Sequence, residues 1–210
     1  MDPLKESYRV QSKHLLKALE KRNIEGFYCD SGEEAVSLLL SMLKEQSTIA
    51  WGGSVTVQSL GIKDLLRQKP YDLYDRDALE GQARMDMMRK AFFADYYLTS
   101  TNALTLDGEL VNIDGTGNRV AAMCFGPKEV IVLAGMNKVV KNVECALHRI
   151  QNIASPPNTI RLNYDTPCQK TGVCHQCFVA DCICNSIFIT RRSQIKGRLK
   201  VILIGENLGF

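Results

Sequence analysis

The chain has 210 residues, of which 45% are hydrophobic and 23% are charged, and its formal net charge is +3. This length and composition are typical of one α/β domain that buries its own core without disulfide bonds. Because the net charge is small and no Lys/Arg run is dense, we do not expect nucleic-acid binding. Residues 1–6 lack the apolar core of a secretory signal, and the longest apolar runs, 130–134 and 201–204, are too short to cross a bilayer. We therefore expect a cytoplasmic protein without membrane contact.

The first half of the chain alternates between helix and strand. Leu15, Leu16 and Leu19 recur at helical spacing and predict an amphipathic N-terminal helix within residues 1–24. The elements predicted next are a strand at 26–30, a helix after Ser31, a strand at 48–51, a helix through Leu66, a strand at 71–74 and a helix over 77–94. This alternation predicts an open, mostly parallel sheet with helices on both faces.

The pattern changes near residue 96. Strand-like residues at 96–100 and 104–113, with Asp107-Gly108 as a two-residue turn signal, predict a β-hairpin inserted into the sheet or placed at its edge. The elements predicted after it are a helix at 119–124, a strand at 129–134, a long helix at 138–153, a strand at 160–162, a Cys-rich loop at 166–185, and strands at 186–190 and 199–204. Residues 154–158 are the best candidate for a boundary, but the stretch is short, so we expect one domain over 1–210.

Three strand-to-helix junctions share one design, at residues 49–56, 111–119 and 132–138. Each has an apolar strand, then glycine, then a polar helix start. In a parallel sheet all three lie along the edge formed by the carboxyl ends of the strands, which is where open α/β sheets bind ligands. Any one of them alone is explained by ordinary turn chemistry. None matches a dinucleotide-binding fingerprint or a P-loop.

The residue types at these junctions favour a small anionic ligand. Arg119 can clamp a carboxylate or phosphate through two hydrogen bonds, and Lys138 can add a point charge. Asp114 is the candidate catalytic residue, as a general base or as an acceptor for sugar-like hydroxyls. Glycine lets the backbone approach a ligand closely. The other candidate ligand-binding residues are Gly52, Gly53, Ser54, Thr56, Asn102, Thr116, Gly117, Asn118, Gly135 and Asn137.

Five of the eight cysteines fall between Cys168 and Cys184. Cys174 and Cys177 form a C-x-x-C pair, and Cys168 with one of Cys182 or Cys184 can complete four thiolate ligands. Such a set suits an iron–sulfur cluster or zinc, and the preferred set is Cys168, Cys174, Cys177 and Cys184. Reduced structural thiols and a redox disulfide are the alternatives. The other three cysteines, 29, 124 and 145, are interpreted as small buried hydrophobes.

Several segments together resemble one family, the LUD domain of the lactate utilization type. They are Trp51–Thr56, Leu98–Thr105, Asp107–Val120, Gly135–Lys138, Thr166–Cys168, Thr171–Cys174, Ile183–Asn185 and Gly205–Phe210. The stretch Asn112–Arg119 is the most specific, and the resemblance covers nearly the whole chain after about Ile24. Cys182 stands where the family pattern usually has Arg. The resemblance implies a Rossmann-like sheet similar to that of sugar-phosphate isomerases and CoA-transferases. It also implies a place in a multi-protein system that oxidises L-lactate to pyruvate with iron–sulfur subunits.

Three functions stay open on these grounds. The first is an enzyme or enzyme subunit that acts on a small carboxylate such as a 2-hydroxy acid. The second is an iron–sulfur or zinc-binding electron-transfer or interaction subunit without its own catalysis. The third, by fold analogy alone, is an isomerase or CoA-transferase-like enzyme. The expected partners are a small anionic metabolite and an iron–sulfur partner subunit, and a homo-oligomer stays open.

Overall fold

The computed structural model describes residues 2–210 and contains ten strands in two sheets. The strands are β1 (Glu25–Cys29), β2 (Thr48–Trp51), β3 (Asp72–Tyr74), β4 (Tyr96–Thr99), β5 (Ala103–Thr105), β6 (Leu110–Asp114), β7 (Glu129–Gly135), β8 (Val139–Val140), β9 (Ser186–Thr190) and β10 (Leu199–Ile204). The main sheet has six strands in the order β1-β10-β7-β4-β2-β3, and every neighbouring pair is parallel. The predicted α/β class with a mostly parallel sheet is confirmed.

Nine α-helices are found in residues 2–210. They are α1 (Pro3–Lys21), α2 (Gly32–Met42), α3 (Val55–Ser59), α4 (Ile62–Arg67), α5 (Gly81–Lys90), α6 (Asn118–Cys124), α7 (Val143–Arg149), α8 (Ser155–Leu162) and α9 (Pro167–Thr171). Local sequence explains where several of them begin. The Asp2 carboxylate accepts from Leu4 N at 2.9 Å and Pro3 occupies the first turn of α1, while Ser31 and Ser54 cap α2 and α3.

The helices cover both faces of the main sheet. α1 and α6 pack on one face, where Leu15, Leu19 and Met123 are buried. α2, α3 and α4 pack on the other face through Leu39, Val57 and neighbouring apolar side chains. Because successive strand residues point to opposite faces, the central strands read as continuous apolar runs. Two buried layers therefore hold the main sheet rigid between them.

The predicted hairpin exists, but its expected position was wrong. β5 and β6 pair antiparallel across a turn in which Gly108 has φ of +86°. They form the middle of a second four-stranded sheet, β8-β5-β6-β9, rather than an edge of the main sheet. Both outer edges of the hairpin are taken, because β8 pairs with β5 and β9 pairs with β6. α7 packs on this second sheet through Ala146.

In the second half, one predicted helix begins later than expected and one predicted strand was wrong. The helix expected at 138–153 begins only at Val143, where Asn142 caps it by accepting from Cys145 N at 2.9 Å. Residues 160–162, expected as a strand, belong to α8. Residues 154–158, the best candidate for a boundary, are also helical, since the Pro156-Pro157 pair lies in the first turn of α8, where proline is tolerated.

The helix expected at 77–94 is shorter than predicted. α5 covers Gly81–Lys90, and single 3₁₀ turns occupy 76–78 and 91–93. Within residues 2–210, no helix combines the length and the apolar character needed to span a bilayer.

Candidate functional site

A cleft of about 590 Å³ opens at the carboxyl ends of β2 and β4. These strands are neighbours, but the chain leaves β2 toward the sheet edge at β3 and leaves β4 toward the opposite side, where β7 lies. Such a reversal of direction separates the two following loops and creates a crevice, the usual ligand site of an open α/β sheet. The cleft therefore lies where the topology favours ligand binding.

The second sheet, α8 and the Cys-rich segment also supply part of the lining of this cleft. Asn158 and Arg161 of α8 line it, as do Asp181, Cys182 and Asn185 of the segment before β9. The main sheet thus provides one part of the lining, and separate elements from later in the chain provide another part.

Most of the residues predicted from the glycine-rich junctions line this cleft. They are Gly53, Ser54, Thr56, Asn102, Asp114, Thr116, Asn118, Arg119 and Lys138. The shared edge of the main sheet brings the 49–56 and 132–138 junctions together, and the second sheet brings the 111–119 junction to them.

Four predicted residues lie behind the lining instead, and each shapes the backbone. A Cβ on Gly52 would lie 3.0 Å from the Tyr97 hydroxyl, and one on Gly135 would lie 2.6 Å from the carbonyl oxygen of Glu206. Asn137 accepts through Oδ1 from Leu208 N at 3.1 Å. Gly117, with φ of +81°, starts α6 in the left-handed region.

Lys138 is the most unusual group in the cleft. It is buried, and its Nζ lies 2.9 Å from Thr56 Oγ1 and 3.0 Å from Ser100 Oγ. Burial, together with the positive charges of Arg149 and Arg119, lowers the pKa of Lys138 to about 7. Near neutral pH a large fraction of this amine is therefore uncharged, unlike the fixed point charge that the sequence suggested.

Arg119 lies at the base of the cleft with its guanidinium already bonded to the protein. Nη1 donates to Asn112 Oδ1 at 2.7 Å and to the Ser100 carbonyl at 3.2 Å. Nη2 donates to Asn102 Oδ1 at 2.7 Å and to the Ile113 carbonyl at 2.9 Å. Because both terminal nitrogens have protein partners, the geometry makes Arg119 a positioning residue rather than the free clamp expected from sequence.

Asp114, the predicted catalytic carboxylate, is mostly buried at the end of β6. Its Oδ1 accepts from Gly115 N at 3.0 Å and its Oδ2 accepts from Val120 N at 3.1 Å. The Nε of Arg119 lies 3.7 Å from Oδ2. Each carboxylate oxygen retains a further lone pair, so the group can still accept a hydrogen bond from a ligand hydroxyl.

Sequence reasoning missed Arg76, which follows the carboxyl end of β3. Its side chain is 14% exposed, and its Nη1 donates to Met88 Sδ at 3.1 Å. Its buried Nε makes no hydrogen bond within residues 2–210 but lies 3.6 Å from Asp77 Oδ1, at ion-pair distance. A Cβ on Gly53 would lie 2.8 Å from Nη2, so glycine is what admits the guanidinium. The sequence did contain a signal for Arg76, because this residue lies two positions after β3, a parallel strand whose carboxyl end lies at the same edge of the sheet as the cleft.

The Gly205–Phe210 segment, after β10, returns to the cleft. The Leu208 carbonyl accepts from Thr56 Oγ1 at 3.3 Å, and Phe210 lines the cleft. Gly209 has φ of +65°, and a Cβ there would lie 2.6 Å from Thr56 Oγ1 and 3.3 Å from Lys138 Nζ. The segment therefore packs against the buried amine at a position where only glycine fits.

The cysteines of the 166–185 segment have polar donors near their sulfurs. Cys174 Sγ accepts from Gln176 N and Cys182 Sγ accepts from Cys184 N, each at 3.4 Å. Cys184 Sγ lies 3.4 Å from Ser155 Oγ, and Cys168 Sγ lies near the Thr159 and Thr166 hydroxyls.

The predicted metal ligands are not assembled around one point. Within residues 2–210, no three His, Cys, Asp or Glu side chains converge in a way that would hold a metal ion. The cysteines form no disulfide over the same range. Metal binding by Cys168, Cys174, Cys177 and Cys184 stays a prediction.

The comparisons with known proteins agree with the resemblance noted in the sequence. The family model described as "LUD domain" matches residues 12–204. Among solved structures, the chain is similar to a crystal structure of a DUF162 family protein from Deinococcus radiodurans. Their sequence identity is 12% and the TM-score is 0.50, over 93% of this chain and 97% of that one. At this identity the likeness concerns the fold alone, and no curated protein matches the chain. Since the family model spans nearly the whole chain, the protein belongs to the LUD domain family.

Proposed function

We propose that this protein binds a small anionic metabolite of the 2-hydroxy or 2-oxo carboxylate class in the β2–β4 cleft, as a component of lactate utilization. The observation that carries the proposal is the excess of cationic side chains in the cleft. Four arginines line it, namely Arg76, Arg84, Arg119 and Arg161, against the carboxylates Asp114 and Asp181. The Asp77 carboxylate pairs with Arg76 at 3.6 Å and with Arg84 at 4.0 Å, so three carboxylates face four guanidinium groups. Asp181 is also engaged, because it accepts from Asp165 N at 2.9 Å. A cleft with a positive potential concentrates anions.

The roles of individual residues follow from their remaining hydrogen-bonding capacity. Arg76, whose Nη2 lies beside Gly53 in the cleft lining, is the candidate for holding the ligand carboxylate, and Arg84 also lines the cleft. The Ser100 and Thr56 hydroxyls already donate to the Thr101 and Leu208 carbonyls, so each offers a lone pair to a hydroxyl proton on C2, and Asp114 suits the same proton. Arg119 holds Ser100 and Asn102 in place through its hydrogen bonds.

Ligand-induced stabilisation tests this proposal. L-lactate, pyruvate, a sugar phosphate, CoA and uncharged lactamide are each added while the thermal unfolding midpoint is followed. A ligand that binds the native state at 100 times its Kd adds about 2.7 kcal/mol of stability, so lactate or pyruvate should raise Tm by several degrees and lactamide should not. Arg76→Met should reduce the shift, whereas Arg89→Met should retain it, because Arg89 is exposed and pairs with Asp86.

The outcomes of that panel separate the candidate functions. No shift with any anion would contradict an anion-binding cleft. A shift with the sugar phosphate or CoA alone would favour an isomerase-like or CoA-transferase-like activity, to which the Rossmann-like resemblance also points. Equal Tm shifts with lactamide and lactate would show that the negative charge of the ligand does not contribute to binding, which would contradict the proposal.

We propose as a second function that the Cys-rich segment binds zinc or an iron–sulfur cluster, which would suit a subunit that exchanges electrons with an iron–sulfur partner. The N–H donors at Cys174 and Cys182 favour it, since hydrogen bonds to thiolate sulfur tune such sites. Because the ligands are not assembled, the segment must close on the ion. Anaerobically purified protein should then carry iron with visible absorption, or zinc. Protein free of both after anaerobic reconstitution would contradict this function.

A further inference from the structure

Lys138 is a buried lysine whose amine has no acidic partner within residues 2–210. Its Nζ contacts only two hydroxyls, those of Thr56 and Ser100, and no carboxylate of residues 2–210 is at ion-pair distance. Burying a charged ammonium without a partner costs several kcal/mol, whereas a neutral amine bonded to hydroxyls is buried cheaply. Two guanidinium groups, those of Arg119 and Arg149, add to the bias against the charged form.

A neutral amine has a lone pair and is a nucleophile. Lysines desolvated next to other cationic groups are the usual amines that react with carbonyl substrates. Lys138 is also accessible to a ligand, since it lines the cleft together with Ser100 and Thr56. The two hydroxyls lie at hydrogen-bond distance from Nζ and can pass protons to and from it.

We propose that Lys138 forms an imine with the carbonyl carbon of a 2-oxo acid bound in the cleft. This inference rests on the proposed function, and it narrows the ligand class to 2-oxo acids. The Nζ lone pair attacks C2 and forms a C–N bond, while the carbonyl π electrons move to oxygen, which takes a proton. Nζ then loses a proton, and the C2 hydroxyl takes a second proton and leaves as water while the Nζ lone pair forms the C=N bond of a protonated imine. Addition of water reverses the sequence, so no oxidant or reductant is needed.

The same chemistry distinguishes the two members of a 2-hydroxy acid/2-oxo acid pair. Lactate has no carbonyl at C2 and cannot react with the amine, whereas pyruvate can. The part of the cleft formed by the ends of β2, β4 and β7, where Lys138 lies, would therefore hold the 2-oxo acid covalently and the 2-hydroxy acid only by non-covalent contacts. The close packing of Gly209 beside Nζ limits the space for bulk water around the amine.

Borohydride trapping tests the proposal on the full chain. The protein is incubated with pyruvate and then with sodium borohydride, which reduces an imine to a stable secondary amine. We expect one reduced pyruvate adduct in the intact mass, located on Lys138 by peptide mapping, and none with L-lactate. Lys138→Met should abolish the adduct, whereas Lys141→Met, at an exposed lysine three residues away, should retain it. Trapping should rise from pH 6 to pH 8, since the amine loses its proton over this range.

The possible results separate this inference from the proposed function. Pyruvate that stabilises the protein without any trapped adduct would overturn the imine while the anion-binding function stands. Neither stabilisation nor adduct would overturn both. An adduct spread over exposed lysines, or one that survives in Lys138→Met, would also overturn it. Mapping on the unsubstituted protein gives this answer even if Lys138→Met does not fold.

Discussion

Arg119 on α6 donates from Nη1 to Oδ1 of Asn112 on β6, at 2.7 Å. The same nitrogen also donates to the Ser100 carbonyl at the end of β4, so one guanidinium joins the main sheet to the second sheet. Asn112 Oδ1 in turn accepts from Asn102 N at 3.2 Å. The base of the cleft is therefore fixed by a network that few other residues could replace.

Replacing Arg119 with lysine should lower the free energy of unfolding by about 2–4 kcal/mol, because a lysine cannot make this fan of hydrogen bonds and leaves buried oxygens unpaired. Urea unfolding followed by the fluorescence of Trp51, the chain's one tryptophan, measures the change. Arg161→Lys is the control, since Arg161 is exposed and bonds only Asn158. Equal stability changes in the two variants would contradict the network.

The Lys138 pKa predicts a pH dependence of stability. The folded pKa of about 7 lies below the ordinary value of 10.5, so between these values the unfolded chain binds a proton that the native state does not. The unfolding free energy of the natural chain should therefore rise with pH relative to Lys138→Met, by up to about 1.4 kcal/mol per pH unit. Urea titrations at pH 7 and pH 9 test this, and Lys141→Met, which keeps Lys138, should follow the natural chain at both pH values. A difference that falls with pH would refute the sign.

Gly209 offers a test of whether the Gly205–Phe210 segment matters for the ligand. Gly209→Ala adds a Cβ that would lie 2.6 Å from Thr56 Oγ1, at a residue with φ of +65°. Gly61 has φ of +66° with nothing within 4 Å of an added Cβ, so Gly61→Ala carries the same backbone strain without the collision. Gly61→Ala should lose about 1 kcal/mol of stability from the backbone strain, and Gly209→Ala should lose more because of the collision. Only Gly209→Ala should weaken pyruvate binding, measured by calorimetry. Equal pyruvate affinities of the two variants would show that the Gly205–Phe210 segment does not contribute to ligand binding.

Thiol reactivity should differ between the cysteines. Burial, with smaller contributions from neighbouring thiols, raises the pKa of Cys184 to about 11, whereas Cys124 is exposed. Since the thiolate is the nucleophile, iodoacetamide at pH 8 should label Cys124 on the order of 100-fold faster than Cys184. Peptide mass spectrometry over time measures both rates in one sample. Rates within a factor of three would contradict the burial of Cys184.

Much of the fold could be predicted from local patterns. The expected bounds of β2 (Thr48–Trp51), β9 (Ser186–Thr190) and β10 (Leu199–Ile204) match the structure to the residue, because each apolar run stops at polar or glycine residues. The second sheet could not be predicted, since β6 pairs with β9 more than 70 residues later. No local sequence pattern identifies such a distant partner. For the same reason, the sequence could not predict that residues of the Cys-rich segment line the cleft.

The candidate site could be located from the sequence, but the state of its side chains could not. The glycine junctions predicted which strand ends line the cleft, including Ser54, Thr56 and Lys138. Whether a cation there is free, bonded or neutral depends on the partners that the fold brings to it. Arg119 is hydrogen-bonded because the Asn102 and Asn112 side chains converge on it. The pKa of Lys138 is lowered because the amine is buried and no carboxylate of residues 2–210 pairs with it.

The strand order has a consequence for synthesis on the ribosome. β1 pairs only with β10, and β10 lies between β1 and β7 in the sheet. Residues 25–29 are therefore synthesised about 170 residues before β10, their only pairing partner in the sheet. The edge of β7 that pairs with β10 is unpaired over part of the same period. Residues 48–135 can assemble early, but residues 199–204 must insert between β1 and β7, so we expect the facing edges of these two strands to be prone to aggregation until β10 has been synthesised.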